Sequence, residues 1–378
     1  MDLEAIKAKA RKAIAPLGPA DPNAAFWGDR TEAGRSLPPY YLVYFLLVEL
    51  LGFKDLGREE KVAFSIPVEI NGTVLMIEHR KFGLGIFAKD LAANEAAAGE
   101  AAKRIHTGVK AAQPYFDSLA DVAAKGSALN VENNARQLHE RFQYFADRYA
   151  AKSAEAGARK NESIKTELKK LGAFTISFPA TQLRAEARWY ATAAIEAFFS
   201  WTEHVFILVA ILQGKIETGE DVANVAGVEW KEKFKLALGI DDPKTKQFYD
   251  RLTRLRNQVR NFVAHGAFGK NGQALSFHSA VGAVPLLLPH RQMKEHFRFG
   301  NGVDFLPPEA MQLIHDFITH MWSGDLSLAK IYIESGLPLI LSHVGDGTYA
   351  QAMTSDEEMT AFTDHLGGIF DNAANMDC

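Results

Sequence analysis

Apolar positions along this chain change their spacing several times, and each change marks an element. Met1 to Ala15 mixes Asp2, Glu4, Lys7, Lys9, Arg11 and Lys12 with apolar residues and reads as an amphipathic helix rather than a secretory leader. Residues 15–39 are rich in proline and glycine, a loop or arm. The segment from Tyr40 to Leu51 is strongly apolar and predicts a buried helix. At twelve residues, with Glu49 inside it, it is too short to span a bilayer. Val62–Ile70 and Thr73–Ile77 flank Asn71-Gly72, a pair that accepts the positive φ angles of a tight hairpin turn. A further strand is expected through Gly83 to Ala88.

From Asp90 to about Lys125 the pattern is alanine-rich and helical, broken by Gly126-Ser127. Asn130 to about Lys170 predicts one or two long charged helices, with Glu132, Arg136 and Glu140 stacked one turn apart, as are Glu155 and Arg159. Such a stretch reads as a solvated spacer. Phe174 to Phe178 predicts a short strand closed by Pro179. Glu186 to Leu212 is apolar for most of its length and predicts a helix crossing a domain core. Then Phe248, Leu252, Leu255, Val259, Phe262 and Val263 recur at helical spacing and form a single stripe. Asp242 is placed to cap that helix before Pro243, and Gly266 to end it after His265. The turn Gly269-Lys270-Asn271-Gly272 accompanies short strands expected at 274–279 and 281–288. Helices follow at about 308–322 and 325–335, then a weaker one at 355–369 and a polar tail.

These elements predict a mainly α protein. The expected divisions are an N-terminal α+β region at 1–126 with a small antiparallel hairpin sheet and long helices, a charged helical connector at 127–178, a helical domain at 179–340, and a C-terminal tail at 341–378. A length of 378 residues suits two or three domains. The 47% hydrophobic and 23% charged content is that of an ordinary soluble globular chain, and no membrane association is expected. Cys378 is the single cysteine, which excludes an internal disulfide or a thiolate metal cluster and suits a reducing cytoplasm. With no HExxH sequence, clustered acids or Cys/His set, no metal and no cofactor are expected.

Charge changes the picture locally. A net charge of −4 argues against a general polyanion binder. Between Lys244 and Lys270, however, seven basic residues (244, 246, 251, 254, 256, 260, 270) face one acid, Asp250. A basic strip on an acidic protein fits a confined nucleic-acid site, or simply a solvated face balanced by acids elsewhere.

The strip contains Arg256-Asn257-Gln258-Val259-Arg260-Asn261-Phe262-Val263-Ala264-His265-Gly266. Arginine holds phosphate in a planar fork, and histidine moves a proton near neutral pH. The same arginine–histidine spacing recurs at Arg291 and His296, with Lys294 and Arg298, but there it lacks the asparagine and the long amphipathic helix. At about 100° per residue, Arg260 lies roughly 120° to one side of the apolar stripe and His265 roughly 100° to the other, with Asn261 between them. They are too far apart around the helix to pair within one turn. A site built from them forms more naturally where this face meets a second surface, such as the same helix in a partner subunit.

An arginine followed by asparagine, then a histidine and glycine at the end of a long helix, resembles the signature of HEPN domains. The resemblance covers about residues 180–330, and its specific part is Arg260 to His265. It implies a HEPN-like bundle of four or five helices, usually dimeric and often a metal-independent endoribonuclease. Catalytic roles then fall to Arg260, Asn261 and His265. Arg260 would hold the scissile phosphate, Asn261 would orient its neighbours or bond across a dimer axis, and His265 would serve as general base or acid for attack by an RNA 2′-hydroxyl. Its ordinary pKa of about 6.5 suits either role. Arg254, Arg256 and Lys270 are candidate substrate contacts. The expected partner is RNA, with tRNA as one candidate, alongside a homodimer mate and an antitoxin or regulator, in a toxin or phage-defence setting.

Two other readings stay open. One is a HEPN-like module that binds RNA or nucleotide without cutting; the other is a helical interaction protein in which Arg260 and Glu203 merely bridge helices. His265 would then be a helix-terminal histidine favouring the dipole. Glu196 and Glu203 form a polar seam with Thr192 and Ser200 in an otherwise apolar helix, and such a seam needs partners. Pairing with Arg256 or Arg260 is the expected solution, and His204 is expected to be a packed or interfacial histidine. Glu78-His79-Arg80-Lys81 has no upstream aspartate placed to complete a nuclease site and reads as a solvated strand end.

Overall fold

The computed structural model describes residues 2–168, 173–265, 275–287, 297–299, 305–324 and 326–375, without the side chains of Leu168, Ala173, residues 261–265, Leu287 and Arg298. Helices make up 63% of the chain, so the protein is mainly α, with a small antiparallel sheet in its N-terminal part. The chain divides into two compact units, residues 1–126 with 364–378, and residues 127–363.

The first unit is built on a five-stranded antiparallel sheet. Its order is Gly18–Pro19, Val62–Ile70, Thr73–Arg80, Gly83–Ala88 and Asp29–Arg30. The three long strands are those the alternation predicts, the second running beyond Ile77 to Arg80. Asn71 (φ 50°) and Gly72 (φ 81°) make the turn, with Ile70 opposite Thr73. Ile66, Ile77 and Ile86 line up across the strands and meet Ala98, Ala101 and Ile105 of the helix Leu91–Ala111 in one core. The alanine-rich stretch is two helices rather than one, Leu91–Ala111 and Gln113–Lys125. Pro114 lacks the N–H that would continue the first helix, and its ring crowds the carbonyl four residues back.

The other face of that sheet overturns one expectation. Glu78 is buried at 5% exposure, not solvated. Its carboxylate accepts from Ser65 Oγ at 3.0 Å and from Arg80 Nε at 2.6 Å. The Arg80 guanidinium in turn stacks 3.7 Å over the Phe87 ring. Alternation places Glu78 on the same face as Met76 and Arg80, and that face is covered.

The second unit is organised around one helix, Pro179–Leu212, called here the core helix. Its C-terminal half is apolar around most of its circumference because most of it is buried, among others at Ile195, Phe198, Trp201, Val205, Phe206 and Val209; the polar side chains Glu196, Ser200, Glu203 and His204 occupy the remaining side. By length and composition it could cross a bilayer, yet 72% of its most apolar stretch is buried inside the protein. Around it pack Trp230–Leu238, Pro243–His265, Pro307–Met321 and Leu326–Ser335. Aromatic rings knit these helices together. Phe198 meets Phe317 edge to face at 5.9 Å, and Phe206 meets Phe234 at 5.4 Å.

Residues 127–178 are not a separate connector. The helix Ala135–Ala158 lies along the core helix within the same unit, its Phe142 ring 6.0 Å from Phe198 and stacked on Trp201. Its charge stripe conceals an apolar one. The stretch Ile164–Leu168, expected to be helical, is a strand paired with Ala173–Ser177. The alternation of Ile164 and Thr166 with charged residues suits an exposed strand better than a helix. Nor is 341–378 simply a tail. Helix Asp356–Asn375 occupies most of it, with residues to Thr363 counted in the second unit and the rest in the first.

Candidate functional site

Asp242 starts the basic helix Pro243–His265 as expected, its carboxylate accepting from the Thr245 backbone N–H at 2.7 Å and the Thr245 hydroxyl at 2.9 Å. Phe248, Leu252, Leu255 and Val259 form its buried stripe. Helical pitch sets Arg256 and Arg260 one turn apart at the margin of that stripe, and their environments differ. Arg256 is half-buried and Arg260 exposed.

Both arginines border an open pocket of about 630 Å³ between the basic helix and the core helix. Phe199, Ile207 and Leu138 supply its apolar wall; Glu196, Ser200, Glu203 and His204 project from the core helix, and Lys233 from Trp230–Leu238. Three further aspects of this pocket decide what it can do.

The first is an ion cluster. Glu203 Oε1 accepts from Lys233 Nζ at 2.6 Å, while Oε2 lies 3.6 Å from Arg256 Nη2. The Lys233 ammonium also donates to the Ala226 carbonyl at 2.8 Å. Its side chain is only 3% exposed, against 35% for Glu203. Arg256 is held additionally by the Phe199 and Trp230 rings, 5.7 and 5.8 Å from its guanidinium carbon. Trp230 is itself pinned, donating Nε1–H to Thr202 Oγ at 3.0 Å. The polar seam of the core helix therefore has the kind of partner it required, and the partner is Arg256, not Arg260.

The second is what the cluster leaves over. Among the described residues, Arg260 and Glu196 have neither an ion-pair nor a hydrogen-bond partner, and both are exposed at the pocket. Any bridging of helices by Glu203 runs to Lys233 and Arg256.

The third is His204. Its Nε2 accepts from the Asn134 backbone N–H at 3.0 Å, at the start of the helix Ala135–Ala158. That bond requires a ring without a proton on Nε2, and burial lowers the pKa of the imidazole below its ordinary value. His139 and His320 are lowered as well, chiefly by burial. Because the folded pKa values lie below the unfolded ones, the unfolded chain binds more protons as the solution is acidified. This contribution to stability is complete above a pH of about 6.5 and lost as pH falls through it. The urea midpoint is expected to drop between pH 7.5 and 5.5, and His204→Gln, which can still accept from Asn134, to flatten the decline.

Of the residues singled out in the sequence, the pocket gathers Glu196, Ser200, Glu203, His204, Arg256 and Arg260. Arg254 is exposed and does not line it. The side chains of Asn261 and His265, though both residues are helical, lie outside the described residues, as does all of Lys270. So do Arg291, Lys294 and His296 of the second basic cluster, and the Arg298 side chain. Among the described residues no group of three or more His, Cys, Asp or Glu is placed to hold a metal ion. Lys233 was not anticipated. Its signal was present: with Trp230, Phe234 and Ala237 it occupies the buried stripe of its helix, and a lysine on an apolar stripe implies a buried carboxylate partner.

The pocket thus offers one fixed arginine, one free arginine, a free carboxylate and an apolar wall. That is suited to holding an anionic group beside a planar or apolar one. Comparison of the chain with family models, with curated proteins and with solved structures found no match.

Proposed function

We propose that this protein is a metal-independent endoribonuclease of HEPN type, acting as a homodimer through the helix that carries Arg260 and His265. The observation that carries the reading is the division of labour between two arginines one turn apart. Arg256 is tied to Glu203, whereas Arg260 stands exposed at the pocket with no carboxylate paired to it among the described residues. An unpaired guanidinium at a pocket rim is available to a phosphate. Arg260 would hold the non-bridging oxygens of the scissile group and stabilise the charge that develops on them. His265 would take the proton of the 2′-hydroxyl as that oxygen attacks phosphorus, and a protonated imidazole would supply the leaving 5′-oxygen. The products are a 2′,3′-cyclic phosphate and a 5′-hydroxyl. A structured RNA such as tRNA is the substrate suggested by the resemblance, and a toxin or phage-defence role its setting.

Because Arg260 supports no other described side chain, Arg260→Ala is expected to fold normally and to lose about 10²–10³ of cleavage rate. Circular dichroism checks the fold and a gel-based cleavage assay checks the rate. A variant that cuts as fast as its parent would remove the basis of the proposal. The pocket also favours a second reading, a module that binds RNA or nucleotide without cutting. In that case Arg256 and Arg260 matter for affinity, and His265 for nothing.

A further inference from the structure

The hairpin formed by Ile164–Leu168 and Ala173–Ser177 makes up a two-stranded sheet by itself. Residues 164–167 and 174–177 are exposed on both faces, including Phe174 at 56% and Ile176 at 51%. A lone two-stranded hairpin is marginally stable in water. Nothing among the described residues pairs with either of its edges. An unpaired edge flanked by exposed apolar side chains is a template for another strand.

We propose that the edge Ile164–Leu168 pairs with the same edge of a second copy, joining two hairpins into a four-stranded antiparallel sheet about a two-fold axis through Thr166. Two copies of one strand related by a two-fold axis run antiparallel. In an antiparallel ladder, facing residues both turn their N–H and C=O groups toward the partner or both away. Such an axis must therefore pass through a residue rather than between two. Centred on Lys165, the register sets lysine against lysine; centred on Glu167, it sets glutamate against glutamate. Like charges directly opposite are destabilising. Centred on Thr166, Lys165 of each copy faces Glu167 of the other, Thr166 faces Thr166, and Ile164 faces Leu168. Among the described residues Lys165 and Glu167 make no ion pair within the chain, and Lys165 rests 3.9 Å from the Phe174 ring centroid. Neither charge is committed to an ion pair among the described residues, and the contact of Lys165 with Phe174 lies within its own hairpin. The opposite edge, Ala173–Ser177, has no charge to select a register, so complementarity singles out the first. The contact is independent of the RNA reading and of the helix carrying Arg260.

The axis is tested by cross-linking in a Cys378→Ser background, which removes the single native cysteine. Across an antiparallel pair, facing Cα atoms lie about 4.5–5.5 Å apart, inside the span a disulfide bridges. Thr166→Cys is expected to form a disulfide dimer under mild oxidation at least about ten times faster than Lys165→Cys or Thr175→Cys. Adding Lys165→Glu to Thr166→Cys should slow it at least about tenfold. Mixing that protein with one carrying Glu167→Lys and Thr166→Cys should restore the rate, since glutamates then face lysines throughout. Equal rates at 165 and 166, faster linkage at 175, or indifference to Lys165→Glu would each overturn the proposal. Lys165, Thr166, Glu167 and Thr175 are exposed, and unchanged circular dichroism confirms that each variant folds.

Discussion

Cellular RNA incubated with the protein in excess EDTA is expected to break into discrete fragments, and the His265→Ala protein is expected to leave it whole. Loss of a general acid–base group costs about 10²–10⁴ in rate, so the contrast should be visible on a gel without kinetic analysis. The fragment ends carry the mechanistic information. A 2′,3′-cyclic phosphate resists a simple phosphatase until acid opens the ring, whereas a hydrolytic nuclease leaves an open phosphate. Retained RNA binding in His265→Ala, with cleavage gone, assigns the histidine to chemistry. Intact RNA from the parent protein as a confirmed dimer, with no growth defect on expression, moves the assignment to the binding module.

The second large effect concerns stability. Glu203→Ala would strand the Lys233 ammonium, 3% exposed, with the Ala226 carbonyl as its remaining described partner. Removing one member of a buried pair costs about 3–5 kcal/mol. Lys233→Met keeps much of the volume and leaves Glu203, itself 35% exposed, beside Arg256. That variant is expected to lose about 1 kcal/mol or less, in line with the replacement of buried ions by apolar isosteres. Urea unfolding of both variants and their double mutant measures the difference. If Glu203→Ala is no costlier than Lys233→Met, the seam is held by packing and the ion cluster is incidental.

The elements of the site were more legible in the sequence than its partnerships. Asp242, Pro243 and the Phe248–Val259 stripe identify the basic helix because caps and periodicity are local signals. Glu203 announced that it needed a cation, since an acid in an apolar helix must be compensated. Which cation it found depends on how three helices pack, and no local pattern encodes that. The sequence offers Arg256 and Arg260 equally, and Lys233 lies on a separate short helix whose packing no local pattern reveals. The covering helix Ala135–Ala158 misled for a related reason. Its dense i, i+4 charges dominate the reading, while the few positions that touch the core, such as Ala135 and Phe142, are easily passed over. Glu78 shows the same asymmetry in the sheet, where burial by Arg80 and its aromatic neighbours is a tertiary event.

Because at least five helices pack around the core helix, most of its C-terminal half is covered, and its backbone amides can meet solvent freely only when several of them release together. Hydrogen exchange should therefore be slowest there, close to the rate set by global unfolding of the second unit. Glu203 and His204 sit within that slow segment, so the pocket has a rigid floor. A ligand entering it would be reported less by movement of that floor than by slower exchange around Arg256 and Arg260 of the neighbouring helix.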